Sequence, residues 1–545
     1  MPRPQSSPTA LCLVLLLAAP AAAQDAAPEA PAQEQAAPVT LPPGGYHTPD
    51  EILAQTAALD AEDGVTVREL GRSAEGRPLL VVGLGERGQP GRPAVLVVAD
   101  PDGTKPSASQ VAFELVRGWA GEPGGLLDRA TVYVVPVANP DAAAHLLEQG
   151  LAWRGAPNDD DRDGRLDEDP AEDLDGDGRV LQMRVADPAG DWMADPEEPR
   201  WLRAPDRTKG ERGAWRLLPE GVDEDGDRAF NEDGPGGIRL EANWPHRWSE
   251  HAPDSGAWPL SESFQRALAD FVLERPNIAV VVVLGQEDNL AAPPKGGTPD
   301  AGSTDPPAGD AALLKLLGDR LHEGQEHRPR SAPHGAGGFA DWCGFQAGRL
   351  VLESALWSPP VEAGERLEAA LLAWDDATHG GAGFVEWADF DHPQLGPVQI
   401  GGWLPVVRDN PPAEELPALV ERWRGFLDGL AADLPRLEWV GLQVHDRGEG
   451  VREARATLLN PRLLPTMTEM GETTRRLLPV FVRLELPEGG VLLGGRAEHS
   501  VSRLAGSGGK QEFRWLYRVP AGAAPAVLVA ESQTAGRTEA ALEVQ

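Results

Sequence analysis

The chain has 545 residues, 41% of them hydrophobic and 25% charged, an ordinary balance for a folded protein at a length that calls for more than one domain. Its formal net charge of −37 is not ordinary. So acidic a surface repels nucleic acid and anionic membranes, which argues against both as partners.

In chain order, residues 1–23 read as an export signal. Arg3 supplies a positive start, Leu11 to Ala19 an apolar stretch, and Ala21-Ala22-Ala23 a small-residue cleavage site. That stretch is too short for a permanent anchor, and no later segment is apolar enough to span a bilayer, so the expected location is secreted or periplasmic. Cleavage after Ala23 removes Cys12 and leaves Cys343 as the only cysteine, so no intramolecular disulfide is expected. Residues 24–44, rich in Ala, Pro, Gln and Glu, cannot bury a core and read as a disordered tether.

Order begins near Tyr46. Thr48-Pro49-Asp50-Glu51 is a capping-box start for a helix to about Leu59. Short apolar runs at Leu79–Leu84, Ala94–Ala99, Thr131–Val137 and Ile278–Leu284 suit strands buried on both faces. Helical patterns accompany them at Ser107–Trp119, Ser261–Leu273 and Ala311–His322, and a last helix, Pro412–Leu434, carries Leu416, Leu419, Val420, Trp423, Phe426 and Leu430 on one face. The expected class is α/β, a mixed sheet flanked by helices over residues 45–435. After Pro435 the segments shorten and alternate, with Gly and Pro between them, and residues 438–545 read as an all-β sandwich.

Four pieces of the first domain carry a resemblance. They are Gly71-Arg72-Ser73-Ala74-Glu75-Gly76-Arg77, Pro136-Val137-Ala138-Asn139-Pro140-Asp141, Gly237-Ile238-Arg239-Leu240-Glu241-Ala242-Asn243-Trp244-Pro245 and Pro259-Leu260-Ser261-Glu262. Their order and spacing resemble the M14 zinc carboxypeptidase family over roughly Tyr46 to Leu434. The resemblance implies an H-x-x-E pair after the second of the apolar strands, a later histidine, a terminal-carboxylate clamp, and a glutamate as general base for a zinc-activated water.

At those positions the chain departs from the family. The H-x-x-E slots fall on Asp102 and Lys105, and a protonated lysine has no lone pair for a metal and competes with it as a cation. Gly285 and Gln286 stand where the third ligand is expected. The carboxylate-binding pair falls on Glu241 and Ala242, and the base position on Ala355, with Glu353 two residues upstream as a displaced fallback. Arg154 matches the family's oxyanion-stabilising arginine. The zinc site therefore reads as dismantled, with no catalytic residue expected beyond the fallbacks Arg154 and Glu353, and with Lys105 as tenant of the vacated metal space. Two other strings suggest ligands without the right context: His145-Leu146-Leu147-Glu148 follows the wrong strand, and His322-Glu323 with His327 is one residue too long for a helical pair.

Acid is concentrated in two insertions, residues 158–182 and 221–235. Between Asn158 and Asp177 eleven carboxylates face two arginines. Asp159, Asp161, Asp163 and Asp167 repeat the start of a calcium loop; Asp173, Asp175 and Asp177 repeat it again; Asp223, Asp225, Asp227 and Asn231 give a third, with Arg228 in the glycine place. Alternate carboxylates on a tight loop converge on a hard cation, so calcium is expected and zinc is not; the bland alternative is a solvated acidic insertion. The leading reading is an exported, peptidase-like protein without peptidase activity, binding a peptide or cell-wall fragment in a groove lined by Asp102, Lys105, Arg154, Glu241 and Glu287, or serving a structural role at the cell envelope. The alternatives are an active metallocarboxypeptidase with a metal site rebuilt on Asp102, Glu287 or Asp288, and a calcium-dependent assembly module.

Overall fold

The computed structural model describes residues 45–85, 92–150, 155–156, 172–224, 230, 238–250, 252, 255–297, 305–332, 335–362, 364 and 366–544. The expected leader, the tether, the first acidic loop and most of the third lie outside the described residues.

Helix α1 (Pro49–Ala58) is closed by Thr48, whose side chain accepts the Glu51 N–H at 3.2 Å while Glu51 Oε2 accepts the Thr48 N–H at 2.9 Å. The box satisfies two donors that a helix start otherwise leaves orphaned. There follow β1 (Val65–Arg72), β2 (Pro78–Leu84), β3 (Ala94–Ala99), α2 (Pro106–Gly121), β4 (Thr131–Val135), α3 (Pro140–Gln149), β5 (Gln182–Ala186) and β6 (Trp215–Pro219). Next come α4 (Ser263–Leu273), β7 (Ile278–Leu284), α5 (Ala308–Leu321), β8 (Leu350–Ser354), α6 (Leu367–His379), β9 (Phe384–His392), β10 (Gly396–Trp403) and α7 (Leu416–Asp433).

Six of these strands form one mixed sheet in the order β1-β2-β4-β3-β7-β8. Strands β4, β3, β7 and β8 run parallel, and β1 and β2 join antiparallel. The valine runs are explained by burial on both faces. Val95 and Val97 share a core with Val111, Leu115 and Trp119 of α2 and with Trp423 and Leu430 of α7, whereas Leu96 and Val98 share the opposite one with Phe264 and Phe271 of α4 and with Trp342.

A second sheet, β9-β10-β5-β6, is wholly antiparallel and was not legible in the sequence. Its inner face packs Met183, Val398 and Ile400 with Leu146 of α3. On its outer face the Arg184 guanidinium lies 4.6 Å from the ring centres of both Trp215 and Trp387, a cation–π sandwich.

Beyond Pro435 the chain forms β11 (Glu438–Gly448), β12 (Val451–Asn460), α8 (Glu469–Thr474), β13 (Val480–Glu485), β14 (Val491–Gly494), β15 (Glu498–Val501), β16 (Gly509–Arg518), β17 (Ala526–Ser532) and β18 (Gly536–Leu542). Two four-stranded antiparallel sheets, β11-β12-β16-β14 and β15-β13-β17-β18, enclose a core that includes Val444, Leu458, Val482, Trp515 and Leu528. The short helix α8 ties this domain to the first. Asp310 of α5 accepts the N–H groups of Glu469 and Met470 at 2.9 and 3.0 Å, and the Thr468 hydroxyl donates to the Gly348 carbonyl at 3.3 Å. Gly348, at φ +71°, lets the two backbones meet, since a Cβ there would lie 2.8 Å from the Gly471 Cα. Among the described residues no helix is long and apolar enough to cross a membrane.

Two of the sequence motifs hold this frame together. The fully buried Asp141 carboxylate at the start of α3 accepts the Ser73 hydroxyl at 2.7 Å, the Glu75 N–H at 3.0 Å and Arg77 Nη1 at 2.9 Å. Removing one partner of a buried pair strands the other, so Asp141→Ala is expected to cost about 3 kcal/mol in a urea titration. Arg72→Ala, which loses exposed contacts to Glu69 and to the Gly76 carbonyl, is expected to cost under about 1 kcal/mol.

Candidate functional site

The parallel strands β3, β7 and β8 end side by side: the Asp100 N–H donates to the Leu284 carbonyl at 2.8 Å and the Gly285 N–H to the Ser354 carbonyl at 2.9 Å. Crevices in such sheets open at the carboxyl ends of the strands. Two non-glycine residues adopt positive φ at this edge, Asp100 at 54° and Leu356 at 62°; such conformations persist only where the surroundings over-determine them. Asp100 Oδ1 accepts the Lys105 N–H at 2.8 Å, and burial, with the Asp102 charge adding to it, pushes the Asp100 carboxyl up to about 7.

The turn after β3 carries the expected slots. Gly103, at φ +73°, packs so tightly on α3 that a Cβ would lie 2.3 Å from that of Ala142. Asp102 is half-buried beside it. Lys105 is buried at the head of α2, and its Nζ donates to the Asp409 carbonyl at 2.7 Å. Burial lowers its pKa, against the pull of Asp409 and Asp100. Gln286 fastens the opposite loop by donating to the Thr104 hydroxyl, and its carbonyl accepts the Ala332 N–H at 2.9 Å.

Glu241 occupies a single 3₁₀ turn, Leu240–Ala242, with Oε2 accepting the Phe339 N–H at 3.0 Å. Burial raises its pKa well above the carboxylate range, and the charges of Asp102, Glu287 and Glu353 raise it further. Four carboxylates, three from loops or turns and one from the end of β8, thus act on one cleft. Glu287 Oε1 accepts the Gly335 N–H at 2.7 Å. Glu353 is the penultimate residue of β8, in register with Val283, and its N–H donates to Asn289 Oδ1 at 2.9 Å. Ala355 is buried, and its N–H donates to Asp288 Oδ2 at 3.0 Å. Asp288 also accepts the Leu290 and Ala291 N–H groups and the Ser354 hydroxyl, so its carboxylate is committed to the loop. Ala242 is buried, and the neighbouring Asn243 binds Ser261 and Gln265 at 2.9 Å each, joining two of the motifs.

Arg154 lies outside the described residues, as do Asp159, Asp161, Asp163, Asp167, Asp225, Asp227 and Asn231. Asp223 is described, and its N–H donates to Gln394 Oε1 at 2.8 Å. The histidine strings do not assemble: His145 Nε2 pairs with Glu75 at 2.6 Å, His322 Nδ1 with Gln325 at 3.2 Å, and His327 Nε2 with the Ser358 hydroxyl at 3.1 Å.

The second acidic loop is fully described. Asp173 Oδ1 accepts the Gly176 and Asp177 N–H groups at 2.8 and 3.1 Å, and its Oδ2 accepts that of Gly178 at 2.7 Å. Glu220, which the sequence did not single out, cinches the base of the loop: one oxygen accepts the Leu174 N–H at 2.9 Å and the other the Leu181 N–H at 2.8 Å. Burial pushes this carboxyl up to about 7. Asp173, Asp175 and Asp177 each place a ligand atom within 4.8 Å of the others, and among the described residues they are the only group of three His, Cys, Asp or Glu side chains that does so. The cleft carboxylates do not converge in this way. With no imidazole or thiolate joining them in a converging set, the described donors do not fit a zinc ion.

Two family models match the chain: "Zinc carboxypeptidase" over residues 52–316 and "Domain of unknown function (DUF8731)" over residues 436–543. Residues 52–316 belong to the zinc carboxypeptidase family. The matched part of this carboxypeptidase domain takes in Asp102, Lys105, Glu241 and Glu287 and ends before Glu353. No curated protein matches the chain. Solved structures similar to it include bovine thrombin-activatable fibrinolysis inhibitor in complex with tick carboxypeptidase inhibitor, at 14% identity, covering 71% of this chain and 96% of that one, with a TM-score of 0.36. Carboxypeptidase A from Helicoverpa armigera is 16% identical, over 62% of this chain and 70% of that one, with a TM-score of 0.35. A metallo-carboxypeptidase from Burkholderia cenocepacia is 28% identical over 20% of this chain and 32% of that one, with a TM-score of 0.18.

The raised Asp100 sets a pH dependence. Between an ordinary carboxylate value near 4 and about 7, the native protein holds a proton that the unfolded chain has lost. Its contribution is therefore complete below about pH 4 and declines as pH rises towards 7, by at most about 4 kcal/mol. Asp100→Asn keeps an acceptor for the Lys105 N–H and is expected to flatten the fall in Tm between pH 5 and 8, read by thermal unfolding at both values.

Proposed function

We propose that this protein uses a carboxypeptidase frame, without zinc hydrolysis, to hold a ligand in an acidic cleft after export to the cell envelope. The observation that carries the reading is the arrangement of the cleft carboxylates: Asp102, Glu241, Glu287 and Glu353 crowd one cleft yet present no three ligand atoms to a common ion. Zinc catalysis needs a metal to polarise the scissile carbonyl and lower the pKa of a water, with a base to take the proton. Glu353 offers a base, but the slots for the metal hold a carboxylate, a buried lysine tied to a backbone carbonyl, a glycine and a glutamine.

The polarity of the cleft favours a different ligand from the C-terminal carboxylate that the family resemblance implies. Glu241 and Ala242 stand where a carboxylate clamp is expected, and the negative charges of Asp102, Glu287 and Glu353 act on Glu241. An ammonium or guanidinium group of a peptide or cell-wall fragment relieves that repulsion, whereas a free carboxylate adds to it. The leader-like residues 1–23 support export. An active enzyme is the second reading, and the presence of Glu353 in the cleft is what favours it. Incubation with peptides bearing varied C-terminal residues, with added zinc and with chelator, separates the two. No release of the terminal residue is expected in any arm, and chelator-sensitive release establishes the enzyme.

Calcium at Asp173, Asp175 and Asp177 completes the reading. The site braces the insertion that carries β5, and extracellular calcium fills even sites with Kd of about 10⁻⁴ to 10⁻³ M. Chelation is expected to lower Tm by a few degrees and Asp173→Ala to abolish that response. A wild-type Tm indifferent to chelator counts against calcium.

A further inference from the structure

The appended domain departs from the charge of the rest of the chain. Residues 436–545 carry 14 Arg and Lys against 13 Asp and Glu, while residues 1–435 carry 35 against 73. Three of its cations gather at one point on the sheet β11-β12-β16-β14. Ala454 and Ala456 of β12 and Phe513 and Trp515 of β16 point into the sandwich core, so Glu453, Arg455 and Arg514, which alternate with them, lie on the outer face. Arg455 stands opposite Arg514 in the ladder, and like charges so placed are destabilising unless something neutralises them.

Glu453 does so in part. Its Oε2 accepts Nε and Nη2 of Arg447, from β11, at 3.1 and 2.5 Å. Its Oε1 accepts Arg455 Nη2 at 3.2 Å and lies 2.7 Å from Arg514 Nη2. The hydrogen bonds from Arg447, helped by Arg455 and by the Arg514 charge, hold this carboxyl down at about 2 against the effect of burial. Three guanidiniums on one carboxylate still leave two positive charges, and these face water. The side chains of Arg447, Arg455 and Arg514 are 55%, 54% and 65% exposed, over a Glu453 that is 5% exposed. Among the described residues Glu453 is the only carboxylate paired with any of the three.

The cluster stands away from the acidic domain. The sandwich meets that domain at the other end of β12, where Asn460 Nδ2 donates to the Leu464 carbonyl and the Leu464 N–H to the Asp433 carbonyl. Glu453 is about 20 Å back along the strand, well beyond the roughly 8 Å over which surface charges act in physiological salt. The exposed apolar side chains of this sheet, Val440, Val491 and Leu493, stand on its outer strands β11 and β14. A charged centre with an apolar rim inverts the layout of a protein interface. Farther along the face Lys510 and Arg518 add positive charge, and Glu512 and Glu438 negative. One exposed ion pair is worth at most about 1 kcal/mol, so a lone anion is held weakly, whereas a chain of anions gains from every later contact.

We propose that this face binds an acidic polysaccharide, a hydrated chain of carboxylate-bearing sugars, with one carboxylate bridging the outward-facing donors of Arg455 and Arg514. Guanidinium groups match a carboxylate with paired donors. This surface is separate from the cleft, and its ligand does not depend on what the cleft holds.

The test measures binding of the full chain to polygalacturonate and to its uncharged methyl ester, with chelator present so that calcium cannot bridge the polymer to the acidic loops. The acid is expected to bind, less tightly as salt is raised, and the ester to bind about tenfold more weakly or worse. Arg455→Gln combined with Arg514→Gln relieves the facing charges and leaves Glu453 paired with Arg447, and it is expected to weaken binding about tenfold. Arg483→Gln, on the other sheet of the sandwich, is expected to change nothing. No binding of the acid, equal binding of acid and ester, or an equal loss in Arg483→Gln overturns the site. Tighter binding of poly-L-glutamate or of single-stranded DNA than of polygalacturonate overturns the polysaccharide. If the double variant does not fold, Arg514→Gln alone decides: a loss of about threefold upholds the site, and no loss overturns it.

Discussion

Like charges crowded at the edge of a low-dielectric interior must be neutralised, separated or met by a ligand, and the cleft of this protein is organised around that constraint. Carboxylates from the turns after β3 and β7, from the end of β8 and from the Leu240–Ala242 turn converge in field though not in geometry. The single buried lysine at the head of α2 has its ammonium on the Asp409 carbonyl. Glu241 responds by favouring its protonated form. On the proposed reading such a cleft takes a cation in preference to an anion, the reverse of a site made for a peptide's terminal carboxylate.

The frame that holds these groups is conventional in its physics. Valine-rich strands buried on both faces fix β3, β7 and β8 in parallel register, so their carboxyl ends and the loops that follow are brought together. The motifs that carry the family resemblance brace this frame: Asp141 gathers the turn between β1 and β2, and Asn243 joins the Leu240–Ala242 turn to Ser261 and to Gln265 of α4. The appended sandwich is docked through α8 and Asp310, which makes it a neighbour of the cleft rather than a remote attachment.

Much of this was legible in the sequence, for identifiable reasons. Unbroken apolar runs mark strands buried on both faces, and the capping box at Thr48 and the apolar stripe of α7 mark helices by their own periodicity. The second sheet was not legible, because β9 alternates Glu386, Asp389 and Asp391 with few aliphatic residues and reads as polar loop until β10 covers it. In the cleft, spacing placed Asp102 and Lys105 on the turn after β3, but it could not show that Lys105 reaches a carbonyl some three hundred residues away. Glu353 reads as two residues out of place against the family pattern; the register of β8 is what shows it beside Val283 with its charge acting on Glu241. Glu220 had no local signal at all, since its role is to hold two ends of a distant loop.

The claim on which the account turns is that the cleft does not retain zinc. Elemental analysis of the purified chain after equilibration with zinc and removal of the unbound metal tests it most directly. The account predicts zinc far below one ion per chain; close to one ion per chain, lost on chelation and absent after Asp102→Ala, would contradict it.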